Sequence, residues 1–385
     1  MVFAADVWIL VGVLGFVGST FGTALLAWTL YRLTPKKGSS SPAINQYSIE
    51  ILVAAHNEET LVVQTLASLA KAASRILVPV KITLGLDHCN DATEVQAREW
   101  ALRQTLPFQT IINPGSAGKW NMIQFLVKQS QAEWIALVDV GSVWNKNLLR
   151  AATHFLQDPD VLGVAPSYRP VKGGLLENLS WKLERALKAI ESKAGGPISV
   201  HGASVLYRRS ALLRALESLD GEFWLNDDVV IPLTLRTLFP HASLVYLCKE
   251  NGDAWVNDHG IREIRNVEYF RRKRILVGNL QWMRVLFAKA FSSSFQVGII
   301  SSRRVFRAFW AYWLLFLSIG IFLRVSLFLQ IPVLATGLAL AAIVIGIKLP
   351  LQGSLERLRA AFYVGLELPL HWLKNQKTTS EKIWN

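Results

Sequence analysis

The chain has 385 residues, 51 % of them hydrophobic, and carries a formal net charge of +13, with a mean hydropathy of +0.29 that is high for a soluble protein. This length is enough for one large domain or two. The two cysteines, Cys89 and Cys248, suggest no disulfide framework and suit a reducing cytosol. No nucleic-acid-binding module accompanies the basic excess, so we expect no nucleic-acid partner.

Three uncharged runs, residues 7–31, 308–323 and 325–347, predict three membrane-spanning helices, because a span needs about 20 apolar residues. Arg324, between the second and third runs, is expected near a membrane face, where its side chain can snorkel. The first run is too long for the apolar part of a cleavable signal, and no positive charge precedes it. It therefore predicts a retained membrane anchor.

Basic residues flank these runs and predict their orientation. Cytosolic flanks carry an excess of Lys and Arg, which places the N-terminus outside and both the middle segment and the C-terminus inside. We expect an integral protein of the bacterial inner or plasma membrane, with lipid headgroups as partners of the basic flanks. The flanking residues are Lys36 and Lys37, then Arg303, Arg304 and Arg307, and last Lys348, Arg357 and Arg359.

From residue 48 to residue 140, strand-like apolar runs alternate with helix-like runs. The strands are predicted at SIEILVAA, VKITLGLD, FQTIINP and WIALVDV, with helices between them. This alternation predicts an α/β fold with a mostly parallel sheet and helices on both faces. Ligands bind such sheets at the carboxyl ends of the strands, so the polar residues there are candidate site residues.

Two longer amphipathic helices are predicted in the second half, at residues 175–194 and 262–291. The first can lie in the membrane interface or pack on the sheet as a surface helix. The second is rich in Arg, Trp and Phe and comes shortly before the run at 308–323, which favours the membrane interface.

Asn57, Glu58 and Asp87 follow the first two predicted strands. Asn57 can cap the next helix and Glu58 suits its positive end, whereas a carboxylate at such a turn can also grip ribose hydroxyls. Asp87 alone is a weak signal. Together with Glu58 it predicts that a base or a ribose is held between the two turns.

Lys119 and Asp139 lie at the start of the third helix and the end of the fourth strand. A helix that begins with Gly118 and Lys119 is a plausible anion site, although a surface lysine explains the same pattern. Asp139 ends a buried strand and indicates a metal ligand. Gly141 stands where a second acid would complete a metal-binding pair.

Asp227 and Asp228 are adjacent acids in apolar company, which costs free energy unless they bind a partner or one is protonated. A raised pKa suits a general base; the alternative is a helix N-terminus with acids in its first turn.

The basic run 271–274 predicts either a lipid-facing patch or a diphosphate clamp, because Arg matches phosphate oxygens. His201 and Gly202 form a predicted turn into a strand on the acceptor side, although a single His is usually structural.

In this order the motifs resemble those of membrane-bound family 2 glycosyltransferases, which include cellulose, chitin and hyaluronan synthases and bacterial exopolysaccharide and lipid-linked sugar transferases. The matching segments are AAHNEE, LDHCNDAT, GSAGKWNMI, DVGS, NDDVVIPLTLR and EYFRRKRILVGNLQ. Ala54 stands where proline is common, and Gly141 replaces the second acid of an aspartate–x–aspartate motif, as in chitin synthases. Ile275 replaces the tryptophan of a glutamine–x–x–arginine–tryptophan motif. The resemblance covers about residues 48–282 and implies a GT-A-type fold.

The resemblance implies a role for each matched residue. Asp228, beside Asp227, is the catalytic base that deprotonates the acceptor hydroxyl, and Asp139 helps to organise a divalent metal. Mg²⁺ or Mn²⁺ is expected, because the available ligands are hard oxygens. His201 and Gly202 are expected on the acceptor side. The residues implied to bind the nucleotide sugar are Ala54, Asn57, Glu58, Asp87, Lys119, Asp139, Arg271 and Arg274.

The implied reaction is inverting transfer of a sugar from a nucleotide sugar, a UDP-sugar by family precedent, to a membrane-associated lipid or glycan acceptor. Ile275 and the small number of spans favour addition of one or a few sugars. The alternatives are a processive polysaccharide synthase and an inactive subunit that binds a sugar nucleotide. The predicted domains are residues 1–37, a transmembrane helix; 38–260, the cytosolic GT-A domain; 261–300, interfacial helices with the Arg-rich motif; 301–350, two transmembrane helices; and 351–385, an interfacial helix and tail.

Overall fold

The computed structural model describes residues 2–33, 47–171, 175–202, 204–249, 254–259, 265–330, 337 and 354–367. The strands are β1 (Ile49–Ala55), β2 (Val80–Leu86), β3 (Phe108–Ile112), β4 (Trp134–Asp139), β5 (Ser142–Trp144), β6 (Val161–Ala165), β7 (Ser167–Pro170), β8 (Ser204–Arg208), β9 (Ser243–Tyr246) and β10 (Trp255–Asp258). The helices are α1 (Val2–Ser19), α2 (Phe21–Leu33), α3 (Val62–Ala73), α4 (Thr93–Ala101), α5 (Lys119–Gln129), α6 (Leu148–Leu156), α7 (Leu175–Lys193), α8 (Arg209–Ser218), α9 (Asp227–Leu238), α10 (Arg265–Val285), α11 (Phe287–Ser293), α12 (Phe295–Ala308), α13 (Trp310–Leu329) and α14 (Ser354–Leu366).

A seven-stranded sheet forms the centre of the protein, in the order β3-β2-β1-β4-β8-β6-β9. β1 runs parallel to β2 and to β4, β2 to β3, and β6 to β9, whereas β8 is antiparallel to both of its neighbours. The predicted α/β fold with a mostly parallel sheet is therefore confirmed, and β1 to β4 lie at the four predicted strands. A second, three-stranded sheet has the order β5-β10-β7.

The central strands are buried on both faces of the large sheet, because successive side chains of a strand point to opposite sides. On β1, Ile51 and Val53 belong to the core that contains Leu69 of α3. Leu52, between them, belongs to the core that contains Ile123 of α5. This two-sided burial holds the carboxyl ends of β1, β2 and β4 at one edge of the sheet, where their polar loops meet.

Two helices of the described ranges, α1 and α13, are long and apolar enough by length and composition to cross a membrane. The first predicted run is divided between α1 and α2 by a turn at Thr20. α13 continues past the predicted end of the second run and includes Arg324, whose guanidinium lies 3.3 Å from Asp6 of α1. Most of the third predicted run, the linker before residue 47 and the tail after residue 367 lie outside the described residues.

Small residues bring α1 and α13 into close contact. A Cβ added to Gly12 would lie 2.8 Å from Leu317, and one added to Gly15 would overlap the Trp313 ring. On α13, Gly320 lies against Ile9 of α1. Glycines of this kind let helix backbones approach closely, as is common where apolar helices pack together.

A buried network of charges joins α7 to α12. The Arg303 guanidinium, with its side chain 1 % exposed, lies 2.6 Å from the Glu191 carboxylate and 3.3 Å from Glu184. Glu184 also pairs with Arg307 at 2.6 Å. The prediction that these basic residues face lipid headgroups is therefore wrong for Arg303, because its charge is neutralised inside the protein.

We expect Arg303→Met to destabilise the protein strongly. Removing the cation leaves the buried Glu191 carboxylate without its partner, and breaking a buried pair in this way costs about 3–5 kcal/mol. The free energy of unfolding, or the midpoint of thermal unfolding, measured on purified protein in detergent, checks this expectation.

Arg98→Met is the matched control, because Arg98 pairs with Glu94 at 2.7 Å on the surface of α4. An exposed pair of this kind contributes about 1 kcal/mol or less. Equal destabilisation by the two substitutions would contradict a structural role for the buried network.

Candidate active site

The loops that follow β1 and β2 are joined by hydrogen bonds. Asn57, with a φ of 53°, accepts the Asn90 N–H on its side-chain oxygen at 2.9 Å. The Glu58 N–H donates to Thr93 Oγ1 at 2.7 Å. α3 begins only at Val62, and no side chain caps it by a hydrogen bond. The predicted capping of this helix by Asn57 is therefore wrong, because that side chain bridges the two loops.

Asp87, the residue after β2, is 1 % exposed and acts as a buried anchor. Its Oδ1 accepts a hydrogen bond from the Asn113 amide at 2.6 Å, and its Oδ2 accepts the Gly118 N–H at 2.7 Å. Gly118 has a φ of 134°, a conformation that suits glycine and not residues with a Cβ. Asp87 thereby fixes the start of α5, and its contact with a nucleotide base stays a prediction.

Lys119 is the first residue of α5, and its ammonium lies between two carboxylates. Nζ is 2.8 Å from Asp139, at the end of β4, and 3.1 Å from Asp227, at the start of α9. Ala54 of β1 lies opposite Asp139 in the sheet register and lines a hollow with these three residues. The structure thus brings together four residues that were predicted separately along the sequence.

The charges at this point shift the pKa of their neighbours. Burial by itself lowers the pKa of Lys119, but the carboxylates of Asp139 and Asp227 raise it above its ordinary value. Burial raises the pKa of Asp139, and Lys119 opposes this effect. The nearby Asp227 and Asp258 raise it further. Two carboxylates, Asp139 and Asp227, face the single ammonium of Lys119, and this net negative charge favours the binding of a cation.

The donor set is suited to Mg²⁺ or Mn²⁺, since carboxylate oxygens are the hard ligands that these ions prefer. Within the described ranges, no group of three His, Cys, Asp or Glu side chains is placed to hold a metal ion. Mg²⁺ is usually held by one or two carboxylates together with water and substrate phosphates. Asp139 fits such a site, in which a diphosphate supplies the remaining oxygens.

Asp228 and Asp139 both lie next to Gly202. A Cβ added to Gly202 would be 3.5 Å from the Asp228 Cβ and 4.0 Å from Asp139 Oδ2, so both acids border the space beside this glycine. Burial raises the pKa of Asp228, and the positive charge of Arg304 opposes this shift. The backbone is held in place by the Val200 N–H, which donates to the Asp228 carbonyl at 2.9 Å.

His201 is part of an aromatic wall beside Gly202. Its ring centroid lies 5.2 Å from those of both Tyr168 and Trp181 and 6.0 Å from that of Tyr246. Burial and then the nearby charge of Lys188 lower the pKa of His201 well below its ordinary range. The ring is therefore neutral at physiological pH. We name Tyr168, Trp181, His201 and Tyr246 the aromatic wall.

Asn226, directly before the paired acids, fastens the start of α9 to α10. Its amide donates to the Ile275 carbonyl at 3.1 Å and to Asn279 Oδ1 at 3.2 Å. The close approach depends on Gly278, because a Cβ there would lie 2.5 Å from Asn226 Cγ. The Arg-rich helix therefore supports the paired acids through its backbone.

The two predicted diphosphate-binding arginines lie on α10. Arg274 is exposed. Arg271 belongs to the helix, but its side chain lies outside the described residues. The helix also packs on the protein through Leu276 and Leu280, which are buried, so its role is not confined to the membrane interface. The diphosphate clamp stays a prediction.

The sequence and the fold of this chain are similar to those of known proteins. A family model described as glycosyltransferase like family 2 matches residues 46–247, more than half of the chain. The chain belongs to glycosyltransferase family 2. The matched region contains Asp87, Lys119, Asp139 and both paired acids, and enzymes of this family take their sugar from a nucleotide sugar.

Solved structures with a similar fold include the mannosyltransferase PcManGT from Pyrobaculum calidifontis in complex with GDP-Man and Mn²⁺. It has 16 % identity and a TM-score of 0.65, over 96 % of this chain and 100 % of that chain. At this identity the likeness shows the fold, a GT-A-like arrangement. None of the curated proteins compared with the chain matches it.

Two further structures are similar over a smaller part of this family 2 glycosyltransferase. S. aureus TarS (residues 1–349) has 13 % identity and a TM-score of 0.43, over 67 % of this chain and 70 % of that one. Glucosyl-3-phosphoglycerate synthase from Mycobacterium tuberculosis, in complex with phosphoglyceric acid, has 13 % identity and a TM-score of 0.40, over 60 % and 78 %. These likenesses are too weak to bear on the site.

Several residues that shape the site of this glycosyltransferase were not predicted as site residues. Arg304, which was assigned to a membrane flank, is the main positive charge near Asp228. Trp181, on a predicted amphipathic helix, belongs to the aromatic wall. Gly278 did carry a usable signal, because an isolated glycine in a helical pattern costs about 1 kcal/mol and usually has a packing reason.

We expect Gly278→Ala to impair the glycosyltransferase although alanine has the higher helix propensity. The new methyl group would overlap the Asn226 side chain, so α10 must move away and the start of α9 loses its support. Both the midpoint of thermal unfolding and the rate of donor turnover should fall.

Val285→Ala is the control, because it places alanine at an exposed position of the same helix. It should change both quantities little. A Gly278→Ala protein as stable and active as the wild type would contradict the support of α9 by α10.

Proposed function

We propose that this protein is an active inverting glycosyltransferase that moves one or a few sugars from a nucleotide sugar to a membrane-associated acceptor. The observation that carries the proposal is that Asp228 and Asp139 both approach Gly202, with the Asp228 Cβ 3.5 Å and Asp139 Oδ2 4.0 Å from the position that a Cβ would take there. An inverting displacement needs a base on one side of the anomeric carbon and a stabilised leaving group on the other. We assign the base to Asp228 and the leaving-group side to Asp139.

Asp228 is the proposed base, which takes the proton of the acceptor hydroxyl as that oxygen attacks. Its raised pKa makes it a better proton acceptor than an exposed carboxylate. Asp227 is engaged with Lys119 at 3.1 Å, so its carboxylate already has a cationic partner. We assign Asp227 to positioning and Asp228 to proton transfer.

On the leaving-group side, Asp139 and Lys119 face the position of the donor diphosphate. A bound divalent metal would neutralise the charge that develops on a departing diphosphate. Asp139 is the residue that would hold it, and Lys119 can place its ammonium against a phosphate oxygen. Glu58, Asp87 and the loops around them are proposed to surround the nucleoside.

The aromatic wall is the proposed acceptor side. The ring centroids of Trp181 and Tyr168 lie 4.3 Å apart, with the ring planes tilted by 43°, and both rings adjoin His201, the residue before Gly202. Flat apolar faces of this kind suit a sugar ring or an isoprenoid-like chain. His201 is neutral, so it contributes a hydrogen-bonding surface without a charge.

Membrane association is proposed from α1 and α13, with the catalytic domain in the cytosol. Both helices are apolar over the length of a span. The helix α12, which carries Arg304, ends two residues before α13 begins. The acceptor side of the site is thus joined to the apolar helices by a short connection, which suits an acceptor held in a membrane.

The proposal is tested with purified protein in lipid, incubated with a panel of sugar nucleotides and Mg²⁺ or Mn²⁺, by measuring the release of nucleoside diphosphate. UDP-sugars follow from the resemblance, and GDP-mannose belongs in the panel because PcManGT was solved with it. Release from none of the donors, although the nucleotides bind, would favour the inactive subunit.

Asp228→Asn should lower turnover of the best donor by about 10²-fold or more, the usual contribution of a general base. Nucleoside diphosphate affinity, measured by calorimetry, should stay unchanged, because Asp228 is assigned to proton transfer and not to the diphosphate. Asp220→Asn, an exposed substitution just after α8, is the control. Undiminished turnover by the Asp228→Asn protein would refute the base assignment.

The activity should depend on pH through Asp228. A base acts when deprotonated, and burial raises the pKa of this carboxyl above its ordinary value of 3.8. Turnover should therefore fall on acidification at a higher pH than ordinary carboxyl titration would produce. The pH profile of kcat/KM, with tryptophan fluorescence to verify folding, checks this; a profile that stays flat down to the ordinary carboxyl range would be inconsistent with it.

A further inference from the structure

We propose that Lys119 is an internal counter-ion that occupies the carboxylates of Asp139 and Asp227 in the empty enzyme and must leave Asp139 before a divalent metal can bind there. This inference rests on the proposed function in one respect, the assignment of Asp139 as the metal ligand. It adds an order of events: the metal binds productively together with the donor diphosphate and only weakly alone.

The Lys119 ammonium lies beside the carboxylate oxygens that a divalent metal on Asp139 would also contact. The Lys119 ammonium contacts both oxygens of Asp139, at 2.8 Å and 3.0 Å, and both oxygens of Asp227, at 3.1 Å and 3.2 Å. A divalent metal on Asp139 would need the same oxygens and would be repelled by the ammonium. The Lys119–Asp139 contact therefore opposes metal binding at Asp139.

Lys119 is well placed to change partners. Its side chain is 27 % exposed, in contrast to the 1 % of Arg303, so it can move without opening the core. It lies at the first position of α5, directly after Gly118. An arriving diphosphate offers the ammonium new oxygens, and Asp139 is then free to bind the metal that the same diphosphate carries.

Asp139, Asp227 and Asp258 are close enough to affect one another's charge, and Lys119 contacts the first two. Lys119 thereby keeps two like charges together in the absence of ligand and lowers the affinity for a free metal.

The experiment measures Mn²⁺ binding to purified protein in lipid without nucleotide, from the electron paramagnetic resonance signal of free Mn²⁺. Lys119→Met keeps the length of the side chain and removes its charge, so Mn²⁺ should bind more tightly by about ten-fold or more, the effect of one neighbouring unit charge on an ionic equilibrium. Lys119→Arg, which keeps the charge, should show no gain. Lys128→Met, an exposed change on α5, should behave like the wild type.

Further measurements test whether the gain in Mn²⁺ affinity depends on Asp139 and whether Lys119 binds the diphosphate. Adding Asp139→Asn to Lys119→Met should abolish the gain in Mn²⁺ affinity. With Mn²⁺ saturating, UDP and GDP should bind the Lys119→Met protein more weakly than the wild type, because the ammonium is no longer available to the diphosphate. If the Met variant is less stable, Mn²⁺ should raise its thermal unfolding midpoint more than that of the wild type.

Mn²⁺ affinity of the Lys119→Met protein equal to or below that of the wild type would overturn the proposal, as would a gain that survives Asp139→Asn. Neither of these Mn²⁺ affinity measurements depends on sugar transfer. A wild-type protein that turns over no donor would count against the proposed function, and the Mn²⁺ measurements would still decide the role of Lys119.

Discussion

The contact of one ammonium with two carboxylates holds the site together. Asp139 ends β4 and Asp227 begins α9, and Lys119 binds both. Without it, two like charges would face each other in a partly desolvated cleft. Asp87 sets the position of Lys119 by fixing Gly118. The placement of the proposed base, one residue after Asp227, therefore depends on a chain of contacts that begins at the end of β2.

A second set of charges joins α7 to α12 in a different way. Arg303 is enclosed between Glu184 and Glu191, and exchange of partners there would expose a buried charge at a high free-energy cost. The contacts of Lys119 with Asp139 and Asp227 are partly open to solvent. The Arg303 network is therefore permanent and ties α7 to α12, whereas the Lys119 contacts are suited to rearrange when a ligand enters. The protein thus combines a fixed scaffold with an exchangeable site.

The sheet could be predicted because its strands are continuous apolar runs, which is what burial on both faces requires. Residues at the ends of those strands, such as Asp87 and Asp139, followed from the same rule. The hydrogen-bond and ion-pair partners of the side chains could not be predicted from the sequence. Asn57 has the residue type of a helix cap but bonds to a neighbouring loop, and Arg303 has the charge of a membrane flank but lies in the interior. Such partners are distant in sequence, so local patterns do not encode them.

The close packing of α1 on α13 has a consequence for how the protein is made. The two helices meet through Gly12, Gly15 and Gly320, yet the whole family 2 domain lies between them in the chain. During synthesis α1 leaves the ribosome before α13 and cannot complete its packing against that helix until translation has passed residue 329. Contacts so far apart in sequence form late. Pairing of the two helices is therefore a late step, which follows synthesis of the whole transferase domain.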